Sequence, residues 1–290
     1  MPGATREAVF DQPAWLRLVP TDLELPRDAT VVHTGCGTSF HAAQTGGRAM
    51  QALEAVLDPP TDADIMVCVS HEGETALTME AERAFGGDVW LVTGKADSPL
   101  AETADEVIVC TPVVETSWCH TASYTCAVAA IEALHGGDIS ELPDRVERAL
   151  EQPVEPFEEE RVVIVGAGAA WPTAQEAALK LREGAWVDAV AYETEQLLHG
   201  YLAAFEPATR AFVLEGEGRA AERSAEAAAA LETLGCTVTL LPTEHPVVDI
   251  VPFHLLTLAV AEARGIDPDP IRRTPGSPWA AAAGSAYPHA

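Results

Sequence analysis

The protein has 290 residues, of which 45 are acidic and 17 basic, giving a formal net charge of −28. An excess of this size repels nucleic acids and anionic membrane surfaces, so we expect neither as a partner. Hydrophobic residues make up 48 % of the chain, enough for a sizeable core. The acidic residues are scattered, which favours a solvated surface that keeps a protein soluble in concentrated salt over a partner-binding patch.

Three further features concern compartment and chemistry. Lysine occurs only at positions 95 and 180, and every other basic residue is arginine. The six cysteines form no C-x-x-C pair, which is typical of free thiols in a reducing cytosol rather than of a disulfide framework. The N-terminus has no signal-peptide pattern, and no run of 18 apolar residues exists, so we expect a cytoplasmic protein without a membrane segment.

The first half of the chain alternates strands and helices. Residues 1–27 read as an N-terminal arm with a short helix from Ala8 to Leu18. Strands are predicted at 29–33, 64–70, 89–93 and 106–110. Helices are predicted at 40–57 and 124–134, and another follows the strand at 64–70 and ends near residue 84. Strands that alternate with helices indicate a parallel sheet covered by helices on both faces.

The pattern stops at Gly136-Gly137 and then restarts. We therefore place a first domain at 28–137, a linker at 138–160, a second domain at 161–265, and a Pro-rich tail at 266–290. In the second domain, strands are predicted at 161–165, 211–214 and 236–241, with helices at 173–186, 220–234 and 253–263. The fold class is therefore α/β, with two αβα sandwiches in tandem.

Polar residues follow three predicted strands of the first domain, in Gly35–Ser39, Ser70–Thr75 and Thr116–Ser123. Ligands bind at the carboxyl ends of parallel strands, and hydroxyls with free backbone N–H groups suit a phosphate or several sugar hydroxyls. The alternative is that these hydroxyls only cap helices. Glu72 is out of place in an anion site, because its carboxylate would repel the ligand.

The second domain offers candidates for proton transfer. Gly166-Ala-Gly168 lacks the third glycine of a dinucleotide fingerprint, since position 171 is Trp, and we expect no nicotinamide cofactor. Glu176, Lys180 and Glu183 share one helical stripe, which could be a solvent-exposed stripe with an ion pair. Further along, a predicted loop contains several polar and charged residues close together in the sequence: Glu193, Glu195, Gln196 and His199. Because a carboxylate and a histidine can divide proton transfer, Glu183 and His199 are the catalytic candidates, with a structural role equally open.

Several of these segments resemble motifs of the tandem SIS (sugar isomerase) domain family, most specifically the isomerase half of glucosamine-6-phosphate synthase. Cys36-Gly-Thr-Ser39 is similar to that family's CGTS, and Ser70-His-Glu-Gly-Glu-Thr75 to its SQSGET. Gly166–Pro172, Gln175–Glu183 and Gln196–Gly200 resemble its GRGxxYP, LEGALKLKE and ELKHG motifs.

The resemblance implies two flavodoxin-like domains in a homodimer, and chemistry that needs no metal and no cofactor. It implies that Ser39, Ser70 and Thr75 hold a sugar phosphate, that Glu183 moves a proton between C1 and C2, and that His199 of the neighbouring subunit assists ring opening. Together with the strand-end loops, it gives the predicted substrate-binding residues: Thr38, Ser39, Ser70, His71, Glu72, Gly73, Thr75, His120 and Thr121.

The chain departs from the family at points that bear on function. His71 and Glu72 replace a glutamine and a serine, and Ile271–Gly276 contains no counterpart of the family's C-terminal catalytic lysine. We also expect no glutaminase domain, since the chain begins Met1-Pro2. The leading hypothesis is a phosphosugar isomerase or amino-sugar phosphate deaminase. A non-catalytic phosphosugar-binding regulatory module, or an enzyme for an unphosphorylated or amine-bearing sugar, remains the alternative.

Overall fold

The computed structural model describes residues 3–286, so the outermost residues of the predicted arm and tail lie outside the described residues. Internal contacts divide the chain into two units. The N-terminal unit comprises residues up to 147 together with the tail from 270, and the C-terminal unit comprises residues 148–269. Each unit is built on its own parallel sheet, which confirms the predicted α/β fold class.

The sheet of the N-terminal unit has five parallel strands in the order β2-β1-β3-β4-β5. The strands are β1 (Val31–Gly35), β2 (Ala49–Gln51), β3 (Ile65–Val69), β4 (Asp88–Thr93) and β5 (Glu106–Val109). The central strand β3 is buried along its whole length, as a continuous apolar run requires when helices cover both faces. This flavodoxin-like order reverses between β1 and β3, where such sheets bind their ligands.

Helices precede, separate and follow these strands in the chain. They are α1 (Ala4–Leu16), α2 (Thr38–Ala43), α3 (Ala52–Leu57), α4 (Ala76–Ala84), α5 (Ala122–Leu134), α6 (Leu142–Leu150), which runs across the unit boundary in the sequence, and α12 (Pro278–Ala286) in the tail. Helix α5 is buried over nearly its whole length because most of its side chains are small or apolar. It packs against both α1 and α2.

The single helix predicted at 40–57 is wrong. A 3₁₀ turn at Gln44–Gly46 ends α2, and the chain then forms the edge strand β2 before α3 begins. Gly47 has a φ of +103°, which stops the helix, and a Cβ at Gly46 would lie 2.3 Å from Nε2 of His33. The glycine pair therefore lets the chain approach β1 closely enough to pair with it.

The C-terminal unit repeats the strand order with four strands, β7-β6-β8-β9, all parallel. The strands are β6 (Arg161–Gly166), β7 (Asp188–Glu193), β8 (Thr209–Leu214) and β9 (Thr237–Leu241). The helices are α7 (Trp171–Ala185), α8 (Thr194–Leu198), α9 (Arg219–Thr233), α10 (Pro246–Asp249) and α11 (Val251–Arg264). This order matches that of the first four strands in the other unit.

The segment predicted as a loop around 193–199 is instead strand and helix: Glu193 ends β7, and α8 follows at once. Edge strand β7 has only two apolar side chains beyond alanine, so its sequence gives a weak strand signal. Helix α7 ends one residue before Trp186, whose φ of 56° places it in the left-handed region usually taken by glycine.

Residues Pro246–Arg264, which form α10 and α11, have a mean hydropathy of 1.5. Within residues 3–286, they form the one helical segment long and apolar enough to cross a membrane. Most of the segment, 67 % of its apolar window, is buried inside the structure. Helix α11 packs along α7, which is the position of a core helix.

Candidate functional site

A small cavity opens at the carboxyl ends of the strands in the N-terminal unit. Thr38, Ser39, His71 and His120 line it, so four of the predicted binding residues meet there. Cys110 and Tyr124 contribute to the same wall. The cavity volume of about 10 Å³ is the room that one water molecule needs. This enclosed volume is smaller than a sugar ring.

The loop between β3 and α4 is held rigidly. Ser70 is buried, and its hydroxyl lies 3.1 Å from the Thr75 hydroxyl. Thr75 is the N-cap residue of α4 but makes no capping side-chain hydrogen bond. Gly73 has a φ of +65°, and a Cβ there would lie 2.0 Å from Oγ of Ser98. Only glycine fits at this position, and the loop backbone is thereby fixed beside the start of α4.

His71 joins three loops of the N-terminal unit. Its Nε2 accepts a hydrogen bond from the backbone N–H of Glu115 at 2.8 Å, and its carbonyl accepts from the N–H of Gly94 at 2.8 Å. Its ring meets the His120 ring edge to face, with 5.1 Å between centroids. Burial lowers the pKa of His71 to about 4, so the imidazole is neutral at pH 7. His71 thus links the loops around the cavity and also lines it.

The N-terminus of α5 already holds a carboxylate from the chain itself. Glu115 is buried and accepts hydrogen bonds from the Thr121 N–H at 2.8 Å, the Thr121 hydroxyl at 3.0 Å and the Ser123 N–H at 2.9 Å. These donors compensate the buried charge. The sequence analysis missed Glu115, although an acidic residue shortly before a helix start is a recognisable capping signal. Thr121 bonds to this carboxylate, and its predicted contact with substrate stays a prediction.

Glu72, the residue that looked misplaced in the sequence, points to solvent. The carboxylate of its neighbour Glu74 contacts the Lys95 ammonium at 2.6 Å. Lys95 comes from the loop after β4 and was not among the predicted site residues. Its one signal in the sequence was the scarcity of lysine.

In the C-terminal unit, the charged stripe of α7 is buried, so a solvent-exposed stripe is the wrong interpretation. The Lys180 ammonium lies 2.7 Å from Glu183 and 3.4 Å from Glu176. The side chains of Lys180 and Glu176 are 1 % and 0 % exposed, whereas that of Glu183 is 21 % exposed. The stripe is buried because α11 packs along α7. Glu183 is therefore the end of this charged cluster that a small molecule could reach.

The imidazole of His254 on α11 belongs to the same buried region. It is fully buried, and within the described part of the chain neither of its nitrogens has a hydrogen-bond partner. Burial lowers its pKa to about 3, opposed by the charge of Glu176 and assisted by that of Lys180. A neutral imidazole adds no further charge to the cluster. No pattern in the sequence pointed to this residue.

His199 lies on the surface of the C-terminal unit with 73 % of its side chain exposed. Its Nε2 is 2.8 Å from the carboxylate of Glu195, which also binds Arg223 at 2.8 Å. The hydrogen bond from Arg223, and to a smaller extent the one from His199, lowers the pKa of Glu195. Glu193 caps α8 by accepting hydrogen bonds from the N–H groups of residues 195 and 196. Glu183 and His199 are thus held by different partners.

Comparison with known proteins gives relatives over most of the chain, although no family model matches it. Glutamine–fructose-6-phosphate aminotransferase (isomerizing) from Aeropyrum pernix is 28 % identical, covering 91 % of this chain and 53 % of that protein. The protein of the same name from Pyrobaculum aerophilum is 24 % identical, covering 89 % and 52 %. The chain thus spans about half the length of the curated relatives it matches.

Solved structures share the fold. The C-terminal domain of glucosamine-fructose-6-phosphate aminotransferase from Francisella tularensis superposes with a TM-score of 0.76 at 20 % identity, covering 93 % of this chain and 98 % of that one. Glucosamine-6-phosphate deaminase from Thermotoga maritima gives 0.76 at 21 % identity, covering 95 % and 98 %. Tagatose-6-phosphate ketose/aldose isomerase from Escherichia coli gives 0.73 at 15 %, covering 93 % and 95 %. The resemblance to tandem sugar isomerase domains is confirmed, with the fold of phosphosugar isomerases.

Proposed function

We propose that this protein is an enzyme that acts on a sugar phosphate, as an isomerase or an amino-sugar phosphate deaminase, and that Glu183 is its base. The main support is the charged cluster on α7, in which the partly exposed Glu183 carboxylate contacts the buried Lys180 ammonium at 2.7 Å. An ammonium this close favours the ionised carboxylate, which is the form that accepts a proton. Glu176, on the buried side of Lys180, holds that ammonium in place.

The isomerisation step needs only proton transfer, and a deaminase would in addition hydrolyse the resulting C2 imine with water, releasing ammonia. Glu183 would take the proton from the carbon beside the sugar carbonyl and return it to the neighbouring carbon, while hydrogen-bond donors stabilise the enediolate oxygen between the two transfers. Ser39, Ser70 and Thr75 are the proposed phosphate-binding residues, supported by the hydroxyl pair of Ser70 and Thr75. The proposed substrates are ketose phosphates and amino-sugar phosphates.

The test is deuterium exchange. Wild-type protein in D₂O should incorporate deuterium at C1 or C2 of at least one ketose or amino-sugar phosphate, followed by NMR. Glu183→Gln should slow this incorporation by roughly 10²- to 10⁴-fold, because the amide cannot accept the proton. Glu176 still pairs with Lys180 in this variant, so it should fold, with a melting temperature below that of the wild type. Unchanged incorporation in Glu183→Gln would exclude Glu183 as the base.

A second candidate, a non-catalytic phosphosugar-binding module, is favoured by the tail. In place of a lysine the tail carries Arg272 and Arg273, and an arginine cannot form a Schiff base. The Arg273 guanidinium lies over the Trp118 ring, 4.9 Å from its centroid. If wild-type protein binds a sugar phosphate but exchanges no deuterium into any of the tested sugars, this candidate replaces the enzyme.

His199 supports a proposed homodimer. A histidine that is 73 % exposed in its own chain could serve a neighbouring copy, where it would assist ring opening. Mixing inactive Glu183→Gln with inactive His199→Asn should then restore up to about a quarter of the activity if exchange between copies is random. Each variant alone serves as the control. A mixture no more active than its components would place both residues in one chain's own site.

A further inference from the structure

The loop after β4 places an ammonium beside the candidate phosphate loop. Lys95 follows Thr93 and Gly94, and both of those residues donate hydrogen bonds to the carbonyl of His71, at 3.1 and 2.8 Å. The N–H of Lys95 in turn donates to the Thr93 hydroxyl at 3.2 Å. The β3–α4 loop and the Lys95 backbone are therefore fixed to each other.

The Lys95 side chain is tethered but accessible. Its ammonium contacts Glu74 at 2.6 Å, and 34 % of the side chain is exposed. The hydrogen bond to Glu74 raises the pKa of Lys95, and the charges of Glu74, Asp97 and Glu72 raise it further, against some desolvation. Lys95 thus contacts Glu74 directly, and the exposed Glu72 lies two residues from that partner in the same short loop.

Without a cation, this rim would oppose a phosphate dianion. Carboxylates close to a phosphate dianion repel it, and solvent at a protein surface weakens this repulsion without removing it. The hydroxyls of Ser70 and Thr75 cannot cancel that charge, because they are neutral donors. An ammonium can, and a lysine can exchange Glu74 for a ligand oxygen because it is a compact charge on a flexible stem.

We infer that Lys95 is the specificity-determining residue of the β3–α4 loop, where its ammonium offsets Glu72 and so lets the loop accept a phosphorylated sugar. This inference rests on the proposed function and names the class of substrate: the phosphate monoester of a sugar, in preference to the free sugar. An ordinary surface ion pair between Lys95 and Glu74 is the competing explanation, and it would leave ligand binding unaffected.

The experiment is a double-mutant cycle on binding. Affinities of wild type, Lys95→Met, Glu72→Ser and the double variant are measured by calorimetry for fructose 6-phosphate and glucosamine 6-phosphate, with fructose and glucosamine as unphosphorylated controls. Lys95→Met should weaken sugar-phosphate binding about tenfold and leave the free sugars within about twofold. Glu72→Ser should strengthen sugar-phosphate binding. With Ser at 72, Lys95→Met should cost no more than about threefold, since the charge to be offset is gone.

A matched variant separates charge from shape. Lys95→Arg keeps the charge and should stay within about threefold of wild type for the sugar phosphates. Equal losses for phosphorylated and free sugars in Lys95→Met, or no loss at all, would overturn the role of Lys95 while leaving the proposed function standing. Wild-type protein that binds neither sugar phosphate would overturn the proposed function, and this inference with it.

Discussion

The two lysines of the chain lie in different surroundings, one partly exposed and the other buried. They belong to two units that share one strand order and yet differ in this respect. Lys95 is 34 % exposed on a loop at the strand ends of the N-terminal unit, with one carboxylate contact. Lys180 is 1 % exposed within α7 of the C-terminal unit, between two carboxylates. The same topology therefore carries an exchangeable cation in one unit and a fixed one in the other, which suits ligand recognition in the first and proton chemistry in the second.

The largest expected effect is on the free energy of unfolding, when each lysine is replaced in turn by methionine. Lys180→Met leaves two carboxylates together in a buried place and should lower the free energy of unfolding by about 3–5 kcal/mol. Lys95→Met removes a partly exposed pair and should lower it by no more than about 1 kcal/mol. Denaturant unfolding of the two variants and the wild type measures both values. Equal losses of unfolding free energy in the two variants would contradict the difference between a buried and a partly exposed lysine.

A second effect should follow acidification, and it should differ between the units. His33 and His71 in the N-terminal unit have pKa values lowered by burial to about 4, and that of His254 in the C-terminal unit is lowered to about 3. Because the unfolded histidines titrate near 6.5, the unfolded state binds more protons below that pH, and stability falls as the pH falls. Each histidine contributes up to about 1.4 kcal/mol per pH unit until its folded pKa is reached.

Hydrogen exchange at pH 6.5, 5.5 and 4.5, corrected for intrinsic exchange rates, should therefore show the N-terminal unit losing protection more steeply. Asp249 adds to the difference, because burial raises its pKa and so favours the folded C-terminal unit on acidification. His33→Gln is the matched variant and should reduce the loss in the N-terminal unit alone. A steeper loss in the C-terminal unit would contradict this prediction.

Much of the architecture could be predicted because apolar runs and glycines are local signals. The strand Ile65–Val69 and the helix that ends at Ala84 were predicted within a residue or so of their observed bounds. Where prediction failed, the cause was tertiary: β2 forms because Gly46 allows a close approach to β1, and β7 is an edge strand with a mixed face. Neither contact can be read from local periodicity.

The candidate site was predictable in outline only. Hydroxyl-rich loops after strands pointed to Ser39 and Ser70, but the sequence could not show that His71 is half-buried and neutral. Nor could it show that Glu115 occupies the start of α5, since that depends on donors from residues 121 and 123. Burial of the α7 stripe depends on α11, which lies about 70 residues further along the chain. Charge and solvation are set by such distant neighbours.

The scarcity of lysine has a practical consequence for chemical labelling. Besides the terminal amine, the 290 residues contain only two side-chain amines for an amine-directed reagent, those of Lys95 and Lys180. One of them, Lys180, is enclosed by its unit, whereas Lys95 is open to reagents in water. Amine-directed chemistry should therefore place a fluorophore or a crosslinker at one chosen spot, the rim of the β3–α4 loop.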